Sequence, residues 1–240
     1  KFIRFIGKAA HAGGSPHFGI NALQAAMVAL NSLNTQRETM RDEDTVRLHG
    51  ILTAGGVAVN SVPADVKYEG RVRGRNAEAL EDANEKMDRC LRAGALALGA
   101  NVNIVTIPGY LPLTNNEILM EIFRENAVSL VGDSRVATYS NRCNMGGSTD
   151  MGDLSQIMPV LHPYSGGASG TGHGADYLVQ DYQQAVINSA KALAMTVIDL
   201  LSGDPGKAEL VLKKSPPKLT KERYLSLQNH YLVDELYEGK

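Results

Sequence analysis

Strand and helix patterns alternate over the first 108 residues in the order β-α-β-β-α-β, and few topologies bury both helices of such a unit. Residues 2–8 alternate aliphatic or aromatic with polar side chains, which predicts a strand. A loop from Ala9 to Gly19 follows, punctuated by Gly13-Gly14-Ser15-Pro16. Ile20, Leu23, Met27, Leu30 and Leu33 then recur at helical spacing, with Asn21 near the start. Val46 to Thr53 predicts a second strand, broken by Gly55-Gly56. From Asp65 to Arg73, Val66, Tyr68, Gly70 and Val72 alternate with Lys67, Glu69, Arg71 and Arg73, a third strand. Ala77 to Leu98 is a long amphipathic helix with Gly99 as its C-cap, and Val102 to Ile107 closes the unit before Pro108-Gly109. The order is that of a split-βαβ, ferredoxin-like α+β sandwich, with both helices on one sheet face and the other face free.

The pattern changes at Thr114. Asn115 to Val131 predicts a helix ended by Gly132, Arg135 to Tyr139 a short strand, and Pro159 to Tyr164 another. Asp181 to Leu201 is a strong helix, closed by Gly203 and Pro205. Two strands are too few for a self-contained α/β domain, so this region reads as half of one, with partner strands upstream. Lys1-Phe2-Ile3-Arg4-Phe5-Ile6-Gly7 opens abruptly in a strand pattern, so the expectation is a chain that starts within a larger protein. Lys207 to Lys240 reads as a charged tail with one helix from Thr220 to Leu236. The expected division is therefore residues 1–112, 113–202 and a tail over 203–240.

A net charge of −2 gives no reason to expect attraction to nucleic acid or a membrane surface. No apolar run is expected to approach the roughly 20 residues that span a bilayer, and Lys1 opens no signal-peptide succession. Cys90 and Cys143 lie far apart without a CxxC pattern, which predicts two free thiols in a reducing, cytoplasmic setting, with one disulfide as the alternative.

Chemistry concentrates in Gly146-Gly147-Ser148-Thr149-Asp150-Met151-Gly152-Asp153 and in Gly170-Thr171-Gly172-His173-Gly174. Such glycine density lets backbone approach a ligand closely, although glycine-rich loops are also plain turns. His173, between glycines, is sterically open to a metal ion or substrate; its alternative is a surface histidine. Asp150, Asp153 and Asp176 are candidate companions or simply cap and turn residues, and no HxH, HExxH or CxxC pattern occurs. His11 sits in a small-residue loop at a strand end, placed to donate a hydrogen bond to a developing oxyanion or to be an exposed loop histidine. Asn60 follows a Gly-Gly turn, and Arg73 ends a strand, where an arginine either clamps a carboxylate or is solvated.

Taken in order, Gly7-x-x-x-His11 with Pro16 and Asn21-Ala22-Leu23, Gly55-Gly56-x-x-x-Asn60-x-Val62-Pro63, Arg73, Gly147-Ser148-Thr149-Asp150 and Gly172-His173 resemble the dinuclear zinc amidohydrolases and peptidases. That family includes aminoacylase, carboxypeptidase G, the indoleacetyl-amino acid hydrolases and aminobenzoyl-glutamate hydrolase. The run Ser148 to Asp153 with Gly170 to His173 is most similar to the aminobenzoyl-glutamate hydrolase branch, and the resemblance covers residues 1–202. It implies a ferredoxin-like lid that pairs two copies into a homodimer, and the returning half of a zinc-peptidase α/β domain. It also implies hydrolysis of an N-acyl or N-aroyl amino acid or a dipeptide, a small amide substrate. His173 matches the late ligand of a centre that holds two Zn2+ or Mn2+ ions when complete. His11 matches the lid histidine that stabilises the oxyanion in the partner subunit's site, and Asn60 and Arg73 the lid residues on the substrate's carboxylate end. The family's other ligands and its acidic base precede the lid, so the resemblance implies an N-terminal catalytic half as a further partner, and a chain inactive by itself. Tyr110 departs from the pattern where carboxypeptidase G-like members carry a carboxylate-binding arginine, which speaks against a glutamate-type substrate. The competing expectation is a non-catalytic dimerisation or interaction module using the free lid sheet; a small-molecule-binding regulatory domain ranks last.

Overall fold

The computed structural model describes residues 1–138, 147–202 and 206–239. They form two compact units, Lys1–Pro112 with Leu225–Lys240, and Leu113–Tyr224.

The first unit has the ferredoxin-like topology. Strands β1 (Phe2–Ile6), β2 (Arg47–Ala54), β3 (Asp65–Arg73) and β4 (Asn101–Thr106) are joined by helices α1 (Ala22–Gln36) and α2 (Ala77–Leu98). All neighbours in the sheet pair antiparallel, in the order β2-β3-β1-β4 with a fifth strand beyond β4. Alternation decides which side is buried. Ile3, Phe5, Val66, Tyr68, Val102 and Ile104 point into one core with Met87 and Leu91 of α2, while Phe2, Arg4, Lys67 and Glu69 stay on the open face. Both helices are capped by asparagine: the Asn21 side chain accepts from Gln24 N at 3.0 Å, and that of Asn76 from Ala79 N at 2.8 Å. The helices approach closely because their facing residues are small. A Cβ on Gly94 would lie 2.4 Å from the Ala25 carbonyl oxygen and 2.6 Å from Ala29 Cβ.

The fifth strand is a correction to the sequence reading. A single helix from Thr220 to Leu236 is expected, whereas α7 (Lys221–Tyr231) stops at Tyr231 and β7 (Val233–Glu238) follows, antiparallel to β4. Val233, Leu236 and Tyr237 suit a pleated surface, and the partner that makes it a strand lies more than 120 residues away (Thr106↔Val233). Residues from Leu225 onward therefore belong to the first unit.

The second unit contains α3 (Glu117–Val131), α4 (Met151–Ile157), the short ribbon β5 (Ala168–Ser169) and β6 (Leu178–Val179), α5 (Ser189–Leu201) and α6 (Gly206–Lys214). A π-helical stretch, Gln183–Asn188, runs into α5. Helices α3 and α5 meet through a polar contact, Asn126 Nδ2 donating to Asp199 Oδ2 at 2.8 Å and Thr196 Oγ1 at 3.3 Å. Neither expected strand is present among the described residues. Asp133–Arg135 form a 3-10 turn with irregular backbone through Thr138, and Tyr139 lies outside the described residues. Pro159 to Tyr164 joins no sheet, because its backbone bonds go to the start of α3: Asn116 N donates to Val160 O at 2.8 Å, and His162 N to Asn115 Oδ1 at 2.7 Å. The membrane reading also needs correction. Gln183–Leu201, 19 residues, is long and apolar enough by composition to cross a bilayer. Lys191 and Asp199 interrupt the run in sequence, and the core helix of a soluble protein meets the same criterion.

Candidate active-site elements

Two loops at one end of the lid sheet carry His11 and Asn60, and backbone hydrogen bonds knit them together. Gly7 N donates to Ala64 O at 2.8 Å, Val62 N to Ala10 O at 2.9 Å, and Ala12 N to Asn60 O at 2.9 Å. His11 pairs with Ser61 as an isolated bridge, and Lys8 with Ile20 as another. Gly7 is where the first loop turns back on itself: a Cβ there would stand 2.1 Å from the Ile20 carbonyl oxygen. The structure thus brings His11 and Asn60 together.

The orientation of the His11 ring is set by two glycines. Gly14 N donates to His11 Nδ1 at 2.9 Å and Gly13 N at 3.2 Å, so Nδ1 is the acceptor and the neutral ring carries its proton on Nε2. The side chain is exposed. What the loop offers is one N–H donor of defined tautomer on a backbone-anchored ring, the group an oxyanion requires.

Arg73 is elsewhere. It ends β3, whose nine residues at roughly 3.3 Å each span about 26 Å from the Asn60 end. Asn60 and Arg73 of one lid therefore do not reach one small ligand together. At its own end Arg73 faces Arg47 across the ladder, and Arg71 faces His49. Burial, then the Arg73 and Arg71 guanidinium groups, hold the His49 imidazole below its ordinary pKa. That end of the open face is a cationic patch suited to a carboxylate.

In the second unit His173 occupies the loop between β5 and β6, in a turn closed by Gly174 N donating to Thr171 O at 2.7 Å. Its φ of 66° is left-handed, which an imidazole-bearing residue adopts rarely and at a cost of about 1–3 kcal/mol. Asp150 precedes α4 and accepts from Thr149 Oγ1 at 3.1 Å; it makes no capping bond to the helix. Gly146, which opens the glycine-rich run, and Cys143 lie outside the described residues, whereas Cys90 is buried and free. Among the described residues no group of three or more His, Cys, Asp or Glu side chains gathers to hold a metal ion. One exposed imidazole does not by itself fit a two-metal centre.

Sequence reasoning missed the glycine N–H pair behind His11 and the orphaned Nδ1 of His162, a buried atom with no hydrogen-bond partner. Gly13-Gly14 two residues after a histidine was the available signal for the first; the second had none, since burial depends on the fold.

Residues 2–97 match the family described as Peptidase dimerisation domain. The chain is 33% identical over 230 residues to the Xaa-Arg dipeptidase of Mus musculus, covering 93% of this chain and 52% of that protein. It is 26% identical over 123 residues to a p-aminobenzoyl-glutamate hydrolase homolog of Haemophilus influenzae, covering 51% of this chain and 29% of that one. A tripeptidase from Staphylococcus aureus superposes with a TM-score of 0.54 at 23% identity over 83% of this chain and 49% of its own, a likeness of fold. The chain thus spans about half the length of the mouse dipeptidase that it matches. The lid thus matches a peptidase dimerisation domain over residues 2–97, and the chain as a whole is similar to peptidases and amide hydrolases.

Proposed function

We propose that this chain is the lid and C-terminal part of a homodimeric peptidase that cleaves the amide bond of a dipeptide or an N-acyl amino acid. The observation that carries the reading is the His11 loop, with its tautomer held by Gly13 and Gly14 and its backbone tied to Asn60. His11 Nε2–H donates to the oxyanion as the amide carbonyl becomes tetrahedral, and Asn60 beside it orients the substrate. Arg73, in its cationic patch, holds a substrate carboxylate. Because Asn60 and Arg73 stand at opposite ends of β3, a substrate held by both takes them from two lids, which ties activity to the dimer. The apolar surface of the lid supports pairing: Ile51 and Leu52 of β2 are 65% and 44% exposed, and Val57 and Val59 in the loop before Asn60 almost wholly so.

On this reading His173 would hold a metal ion only together with ligands supplied by another part of the whole enzyme. The exposed Val186, Val197, Ile198 and Leu201 of the helix Gln183–Leu201 pack against the remainder of that catalytic unit. The name of the mouse relative favours a dipeptide with a basic C-terminal residue over an aminobenzoyl-glutamate, in line with Tyr110 standing where a carboxylate-binding arginine is absent.

The protein isolated from its natural source is weighed intact and analysed for metal. A mass well above that of 240 residues, with about two zinc or manganese ions per chain, is expected. In that protein His11→Ala lowers kcat on an Xaa-Arg dipeptide by about 10²–10³ with little change in KM. A His11→Ala enzyme within twofold of the parent refutes the oxyanion role; a metal-free chain of 240 residues with no companion polypeptide points to the interaction module instead.

A further inference from the structure

The lid sheet has two edges of unlike character. The β2 edge is eight residues long and exposes Ile51 and Leu52. At the other side β4 would be an edge too, since its inner neighbour is β1. It is covered by β7, which pairs along all six residues from Asn101↔Glu238 to Thr106↔Val233. The strand is fastened from both faces of the sheet. From the helical side Arg92 of α2 reaches Glu235 with Nε at 2.7 Å and Nη2 at 2.6 Å. From the open side Asn103 Nδ2 donates to Asp234 Oδ1 at 2.6 Å and to Glu235 O at 3.1 Å. Tyr237 packs on the core, and a Cβ on Gly239 would lie 2.1 Å from the Ala100 carbonyl oxygen, so the chain leaves β7 pressed against the α2–β4 turn.

The edge so created is built against further pairing. Three of its six residues are Asp234, Glu235 and Glu238, and short, charged strands are a standard way to blunt a sheet edge. Two β7 edges meeting would also set acid against acid.

We propose that β7 is an edge cap, held by the Arg92–Glu235 clamp, which restricts self-association of the lid to the β2 edge so that copies pair once and stop. The partner for the covered β4 edge, once β7 leaves, is a second copy of this chain. The inference rests on the homodimer reading above, and the test separates the two.

Sedimentation velocity compares the 240-residue chain with a variant lacking residues 232–240 across a hundredfold concentration range, with circular dichroism confirming the fold. The expected result is a dimer for the parent and, for the truncated chain, a weight-average mass that keeps rising past twice the dimer. A folded truncated chain that stays dimeric overturns the cap and leaves the dimer reading standing. A monomeric parent whose truncated form associates overturns the dimer reading and supports the cap; two monomers overturn both. Open-ended growth of the parent, with acidic β7 pairing onto the Arg47 and His49 edge, also overturns the cap. Should truncation unfold the lid, Glu235→Arg in the intact chain sets like charges together. Association with freely exchanging β4 amides is then expected, reversed by adding Arg92→Glu. Amides that stay protected in Glu235→Arg show that the clamp does not hold the strand and overturn the proposal.

Discussion

Gly7→Ala tests whether the His11 loop owes its shape to one close backbone approach. The added methyl would sit 2.1 Å from Ile20 O, 3.0 Å from Ile20 C and 3.1 Å from Ala22 N, all of them backbone atoms that cannot rotate away. Relief requires parting Lys8 from Ile20, whose two reciprocal bonds are each 2.9 Å long. At about 0.5–1.5 kcal/mol per hydrogen bond, that is a loss of about 1–3 kcal/mol. Against it, alanine narrows the unfolded ensemble and returns about 0.4–1 kcal/mol. The net expectation is a destabilisation of about 1–2 kcal/mol, with the loop displaced. Gly13→Ala is the control in the same loop, because its nearest contact would be His11 Cε1 at an ordinary 3.6 Å. Urea denaturation followed by circular dichroism reads the stability, and ¹⁵N shifts of His11 read whether Nδ1 still accepts. If Gly7→Ala is as stable as Gly13→Ala and keeps the same His11 tautomer, the close approach does not shape the loop.

Gly94→Ala gains about 1 kcal/mol of helix propensity but drives a methyl to 2.4 Å from Ala25 O, and overpacking of about 1–3 kcal/mol prevails; a net loss near 1 kcal/mol is expected by urea titration, and a gain would mean that α1 and α2 separate freely. Hydrogen bonding to Arg92 holds the Glu235 carboxyl below its ordinary value of 4.5, so its stabilisation is present above that pH and is lost as pH falls through the folded value. Arg92→Ala therefore costs about 1 kcal/mol at neutral pH, given that the pair is partly solvated, and the difference from the parent narrows on acidification; a pH-independent difference refutes the ionic origin. Burial, then hydrogen bonding to Glu81, pushes the Tyr231 hydroxyl up to about 12. The folded state then keeps a proton that the unfolded state releases above about 10, so stability falls between those values, and Tyr231→Phe removes that slope in alkaline denaturation curves.

The βαββαβ part of the lid was legible because each of its elements carries a complete local signal. Asp65–Arg73 and Ala77–Leu98 were expected at the bounds observed, the first from strict alternation and the second from amphipathic spacing with a glycine stop. The second unit was read less well. Pro159 to Tyr164 has strand composition, yet its backbone partners are asparagines at the head of α3, and α4 is too short to declare a period. The strand β7 was hidden for a different reason. Glu235 meets Arg92 across 143 residues, and an acidic stretch reads as solvated until a distant cation and an open edge are placed beside it.

The candidate site divides along the same line, between what is local and what is spatial. A histidine followed by two glycines was visible, and its consequence, two N–H groups on Nδ1, is local geometry. Asn60 and Arg73 were visible too, but as members of one set. Only the strand length separates them by about 26 Å and turns a list of binding residues into a statement about assembly. If both residues act on one substrate, each active site draws on two lids. Then mixing Asn60→Ala chains with Arg73→Ala chains restores, in the heterodimer, one site with both residues intact. If either residue is dispensable, or both act from one lid, mixing restores nothing beyond the sum of the parts. Complementation in mixed dimers thus separates a lid that merely joins two catalytic units from one that completes them.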